Sequence, residues 1–163
     1  GMAKAEGDFV FFTDVDLPYG LEPVFHGLQV LMDGKSDIVL GSRDLPESHD
    51  IKSYGWQRKI TKKVFSLLVN LVLGIGITDT QCGLKGFRKD VAQNIFPQLT
   101  RNDFSFDAEV LYIARQKKYK IKLVPVNLNH SPTSTVSIFS DSLKMMGSMF
   151  IILFNGIRRK YKI

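Results

Sequence analysis

Apolar and polar positions alternate along the chain in short blocks, and the blocks read as strands and helices in turn. Met2 to Glu6 reads as the last turn of a helix stopped at Gly7. Phe9 to Phe12 is an unbroken apolar run that suits a strand buried on both faces, expected over Phe9–Thr13. Leu21 to Met32 predicts a helix, with Pro23 in its first turn, Val24, Leu28 and Leu31 on one stripe, and Gly34 as its stop. Asp37–Leu40 reads as a second strand, and Asp44–Tyr54, polar and without period, as a long loop. A helix is expected from Trp56 to Leu73, basic at its start and apolar almost all round from Val64 onward. Leu84–Arg88 reads as a short strand, Lys89–Phe96 as a short helix stopped by Pro97, and Asp103–Asp107 as the lead into a helix ending near Lys118. Ile121–Leu128 alternates like a strand with one wetter face, and Pro125 moves it toward a sheet edge. Ser131–Ser137 is a Ser/Thr loop, and a last helix starts at Ser140 or Asp141 and runs into a basic tail. This order predicts an α/β fold, with ligands outside the carboxyl ends of the strands.

One of those ends carries the first candidate chemistry. The strand at Phe9 runs into Thr13-Asp14-Val15-Asp16, followed by Pro18. In an extended conformation Asp14 and Asp16 point the same way. Like charges so placed call for a cation, and a hard divalent ion with oxygen ligands meets the need. The competing reading is a turn device, since Asp accepts backbone N–H bonds in turns. A Cys/His metal site is excluded in practice, because His26, His49 and His130 are isolated and Cys82 is the one cysteine.

Charge sharpens the picture. The chain has 163 residues and a net charge of +6. Residues 1–50 hold three Lys/Arg against ten Asp/Glu, and the remainder holds nineteen against six. An acidic front beside a basic back suits a site with a cation on one side and anions on the other. Nucleic-acid binding is disfavoured, because the front third is acidic and the basic residues follow apolar helices.

Two helices bear on membranes. No apolar run reaches the 18 or so residues of a span. Val64 to Ile77 is either a core helix or one lying in a membrane interface behind Lys52, Arg58, Lys59, Lys62 and Lys63. The last helix sets Leu143, Met146, Phe150, Leu153 and Ile157 at three-four spacing, with Met145, Met149 and Ile152 widening the face. Ser142, Lys144, Ser148 and Asn155 interrupt it, and Arg158, Arg159, Lys160 and Lys162 close the chain. It reads as a membrane-surface helix, or as a docked helix whose cations complement its dipole. Residues 1–138 are therefore taken as one domain and residues 139–163 as a membrane-proximal amphipathic helix.

Five stretches, in order, resemble the inverting family 2 glycosyltransferases, and most of all the dolichyl-phosphate mannose and glucose synthase type. They are Gly7-Asp8 with Phe12 to Leu17; Val39 to Arg43; Trp56 to Lys59; Thr78 to Phe87; and Phe104 to Leu111, followed by the strand from Tyr119 to Val126. The resemblance implies the C-terminal portion of a GT-A, Rossmann-like domain with a mixed sheet and flanking helices. It implies transfer of a sugar from a nucleotide-sugar to a polyprenyl phosphate. By this likeness Asp14 and Asp16 hold Mg2+ or Mn2+ on the donor diphosphate, and Asp16 and Asp79 are catalytic. Arg43 lies by the donor phosphates, Arg58 by the acceptor phosphate, and Asp107 and Glu109 form an acidic, substrate-binding pair at a helix start. The implied location is cytoplasmic, peripheral at the cytoplasmic face of a membrane.

The pattern also departs from the family. Pro18 stands where a Gln is frequent, and the loop before the last helix offers His130, Ser134 and Thr135 where a basic residue is frequent. Nothing corresponds to the family's opening strand and its Y-N-E sequence, so a piece of a longer enzyme is expected. The alternatives are an inactive membrane-binding fragment and a GT-A transferase with a soluble hydroxyl acceptor. A missing half-sheet would leave a strand edge open, and a homo-oligomer is one way of closing it.

Overall fold

A computed structural model describes residues 1–48, 56–103, 105–128 and 138–162. Residues 49–54 of the loop expected over Asp44–Tyr54, the loop expected over Ser131–Ser137, and with them His49 and His130, lie outside the described residues. The chain divides into two compact units.

The first unit comprises Gly1–Ser53, Cys82–Pro97 and Tyr119–Pro132. Its described residues form a four-stranded sheet in the order β1-β3-β2-β4, with β1 at Phe9–Phe12, β2 at Ile38–Ser42, β3 at Lys85–Arg88 and β4 at Ile121–Pro125. Strand β3 is antiparallel to both β1 and β2, whereas β2 and β4 are parallel. The carboxyl ends of β1, β2 and β4 therefore meet the amino end of β3 on one side of the sheet. Strand β2 is buried at every residue, as expected of an interior strand with both faces covered. Strand β4 lies at the edge, where Pro125 costs no ladder bond.

Alternation along β1 serves two cores. Phe9 and Phe11 pack with Val39, Val124 and Leu31, the last on α1, Glu22–Met32. Phe12 lies on the other face, with its ring 6.3 Å from that of Phe87, which meets Phe96 edge-on at 5.2 Å. Phe96 follows α3, Lys89–Ile95, and Pro97 continues it as a 3-10 turn over Phe96–Gln98 rather than ending the chain's helical path. The opening element is likewise a 3-10 turn, Met2–Lys4, and it ends at Ala5 rather than at Gly7.

The second unit comprises Tyr54–Gln81, Gln98–Lys118 and Thr133–Ile163. Its described residues hold three helices: α2 at Trp56–Leu73, α4 at Phe106–Gln116 and α5 at Ile138–Ile157. Helix α5 packs on α2 and on α4. The α4 contact is close, because the Tyr112 ring occupies the space of a side chain at Gly156. No described helix is long and apolar enough to cross a membrane.

Candidate active site

In the first unit the end of the sheet at which β1, β2 and β4 finish carries three turns. After β1 the chain does not stay extended. Leu17 N donates to Asp14 O at 3.1 Å, and Gly20 N donates to Leu17 O at 2.9 Å. Asp14 and Asp16 thus occupy the first and third positions of a turn, both exposed, instead of one face of a strand. The reason is local: Asp favours turn positions, and Pro18 cannot extend a ladder. Leu17 closes this turn with a φ of 43°, a conformation that costs a branched residue on the order of 1 kcal/mol.

The second turn follows β2. A side chain at Gly41 would come within 2.8 Å of Cys82 Sγ and of Val126 Cγ1, so only glycine lets β3 and β4 close on β2 there. Ser42 O accepts from Ser48 Oγ at 2.7 Å and from Val126 N at 3.2 Å. Arg43, half-buried, leaves the sheet at this tied corner.

The third turn, Cys82 to Lys85, lies inside the Thr78–Phe87 stretch, in which the sequence singles out Asp79 alone. The Asp14 carboxyl group lies against Gly83, in the volume a β-carbon would take. Lys85 is 1% exposed, donates from Nζ to Cys82 O at 2.7 Å, and sits 5.3 Å from the centre of the Phe12 ring. The available signal was a lysine amid the apolar residues of a buried strand.

In the second unit Asp79 is 2% exposed. The segment before it is held by Asn70, on the apolar half of α2. Asn70 Oδ1 accepts from Gly76 N at 2.6 Å and Ile77 N at 3.2 Å, and Nδ2 donates to Ile77 O at 2.9 Å. Arg115 adds a bond to Ile75 O at 3.2 Å. Gly74 and Gly76 have φ of 63° and 76°, which glycine alone adopts freely. An amide in an apolar helix face was the signal for this clasp.

Asp107 is buried in the first turn of α4, and the cap position is Ser105. Asp103 serves that turn instead, accepting from Ser105 N at 2.9 Å and from Ser105 Oγ. Asp107, two residues beyond Ser105, is therefore not the cap of this helix. Glu109, fully buried, is engaged within the protein. It accepts from Thr100 N and Thr100 Oγ1, from Arg101 N at 2.9 Å, and from Tyr161 OH at 2.7 Å. Burial and the Glu109 hydrogen bond push the Tyr161 phenol far up. Arg58 lies on α2, where its side chain is outside the described residues.

Asp14 and Asp16 offer oxygen donors only. Among the described residues no cluster of three His, Cys, Asp or Glu forms. That set does not match a closed zinc-type site. It does match a hard divalent cation that keeps water or phosphate in most of its shell.

No family model matches the chain. Individual proteins do. A dolichyl-phosphate beta-glucosyltransferase of Dictyostelium discoideum is 33% identical over 146 residues, covering 88% of this chain and 43% of that protein. The dolichyl-phosphate beta-glucosyltransferase of Drosophila melanogaster is 31% identical over 158 residues, 93% of this chain and 48% of that protein. Glycosyltransferase AglD of Haloferax volcanii is 24% identical over 141 residues, 86% of this chain and 22% of that protein. The chain spans about half the length of the glucosyltransferases it matches. By this homology the chain is a relative, over about half of their length, of the family 2 glycosyltransferases.

Proposed function

We propose that this chain supplies the cation, phosphate and acceptor side of an inverting transferase that moves a sugar from a nucleotide-sugar to a polyprenyl phosphate. The observation that carries the reading is the Asp14–Leu17 turn, which presents two exposed carboxylates on the same side of the sheet as the Gly41-Ser42-Arg43 corner. The likeness to dolichyl-phosphate beta-glucosyltransferases supports the choice of acceptor.

Asp14 and Asp16 would hold Mg2+ or Mn2+, which when bound neutralises charge on the donor diphosphate. Arg43 offers a fixed fork for phosphate oxygens. Arg58 is assigned to the acceptor phosphate. That acceptor is already ionised at neutral pH, so positioning matters more than a strong general base. Asp79 and Asp107 are assigned to the substrate side, and Glu109 to holding the C-terminal segment.

The lipid substrate is approached at a membrane surface. Val64, Leu67 and Leu71 on α2 and Phe150, Ile151, Phe154 and Ile157 on α5 are apolar and exposed, and Arg158, Arg159 and Lys160 follow. An apolar face ending in cations suits peripheral attachment to anionic lipid, here at a cytoplasmic face. The outer edge of β1 has no strand partner among the described residues, and pairing of copies there is the form a homo-oligomer would take.

The test is transfer from nucleotide-sugar to polyprenyl phosphate by the longest natural form of the protein, with Asp16→Ala beside it. A loss of about a hundredfold or more is expected. Transfer that survives Asp16→Ala would sink the cation role. Transfer to a soluble hydroxyl acceptor with indifference to polyprenyl phosphate would move the chain to another acceptor class. Membrane binding without any transfer would make it an inactive surface module.

A further inference from the structure

We propose that Gly83 and Lys85 are positioning residues that seat and aim the Asp14 carboxylate. The inference rests on the assignment of Asp14 to cation and diphosphate binding, and it deepens that assignment.

Gly83 is not among the glycines with positive φ, so backbone freedom does not explain it. Space does. A β-carbon there would overlap the Asp14 carboxyl group, with Oδ1 at 2.7 Å and with Cγ and Oδ2 closer still. Backbone lies flat against the carboxyl group and fixes how far it can swing toward the sheet. Any side chain at position 83 pushes Asp14 out of its seat.

Lys85 fixes the seat itself. Phe12 and Lys85 are directly paired across the β1–β3 ladder. Two residues beyond Phe12 the chain enters the Asp14 turn, and two residues before Lys85 lies Gly83. The Lys85 ammonium, buried, bonds Cys82 O and lies near the Phe12 ring. One side chain therefore grips both strands where they diverge toward the site. Burying an ammonium is unfavourable unless strong acceptors compensate, and a carbonyl at 2.7 Å together with an aromatic ring are such partners. A methionine would fill the volume and lose the grip. An arginine would keep a donor.

Two measurements on the 163-residue chain decide the matter. The first is a thermal-stability cycle of wild type, Gly83→Ala, Asp14→Ala and the double variant. Gly83→Ala is expected to lower Tm in the wild-type background and to cost only a small part of that once Asp14 is shortened. An equal cost in both backgrounds overturns the seat. Should Gly83→Ala fail to fold, recovery of folding in the double variant supports the seat, and no recovery overturns it.

The second is Mn2+ binding, followed by the electron-paramagnetic signal of the free ion, in wild type, Asp14→Asn, Lys85→Met and Lys85→Arg. Lys85→Met is expected to weaken Mn2+ about tenfold, as losses behind a metal ligand do, with Lys85→Arg recovering part of it. Wild-type affinity in Lys85→Met overturns the role of Lys85. Coupling in the stability cycle with no Mn2+ bound by wild type leaves the seat and removes the cation assignment. Mn2+ bound through Asp14 with no coupling in the cycle does the reverse.

Discussion

Glu109 shows how one buried carboxylate can hold a chain segment. Four donors converge on it, three from Thr100 and Arg101 and one from Tyr161. Asn155 also donates to Thr100 Oγ1 at 3.1 Å, so α5 and the tail close on the same point. Removing the phenol hydroxyl withdraws a hydrogen bond to a buried charge, worth about 1.5–3 kcal/mol. Tyr161→Phe is therefore expected to lower unfolding free energy by about 2 kcal/mol in urea titrations, and an unchanged midpoint would show the clasp to be idle. The phenol's raised pKa makes its contribution whole below about pH 10 and lost as pH climbs beyond.

Asp103 works in the opposite pH range. Burial pushes its carboxyl up, but hydrogen bonds from Ser105 and Arg101, and the Arg101 charge, outweigh that and hold it at about 2. A lowered folded value gives stability that is full above the ordinary 3.8 and lost as pH falls toward 2. The Asp103 side chain is 47% exposed, so solvent screening keeps the contribution below about 1 kcal/mol. Unfolding curves of wild type and Asp103→Asn should differ at pH 6 and converge near pH 2. A constant gap would contradict this assignment.

At the scale of elements, α5 carries two faces. Ser148 and Asn155, polar residues that argue against a simple membrane span, both point inward. Ser148 accepts from Arg101 at 3.0 Å, and Asn155 reaches Thr100. The outward face keeps Phe150 at 58% exposure and Phe154 at 50%, with the Arg158 guanidinium 4.2 Å from the Phe154 ring. Phe150→Ser with Phe154→Ser is expected to reduce binding to anionic vesicles about tenfold or more while leaving Tm nearly unchanged. Vesicle binding equal to wild type would assign the face to something other than lipid.

Helix bounds were readable where the pattern was long. The span of α2 is as expected, and α5 starts two residues before Ser140. Short elements were less readable, because turn chemistry competes with strand pattern. The Asp14 turn shows this, since the same residues would have faced one way had the strand continued.

At the scale of the whole molecule, the α/β alternation and the family resemblance were both legible along nearly the full chain. Sheet order was not. The placement of β3 between β1 and β2, antiparallel to both, depends on pairings between residues such as Phe12 and Lys85 that are far apart in sequence. Nor were the candidate residues legible in full. Asp14, Asp16 and Arg43 in the first unit, and Asp79 in the second, stand out as polar residues in loops. Gly83, Lys85 and Asn70 act by touching neighbours, and contact is invisible in a linear pattern. The charge division belongs to this scale too, because an acidic front and a basic remainder can be seen only by adding over long stretches.

Cys82, the chain's one cysteine, is 1% exposed and packs where Gly41 meets β3. A thiol reagent can reach it only when the strands part at that corner, so its labelling rate is set by how often the corner opens. The protein thus carries an intrinsic clock for breathing at the end of the sheet that holds Asp14. Slower labelling in the presence of a compound would report that the compound closes this corner, with no activity assay and no introduced probe.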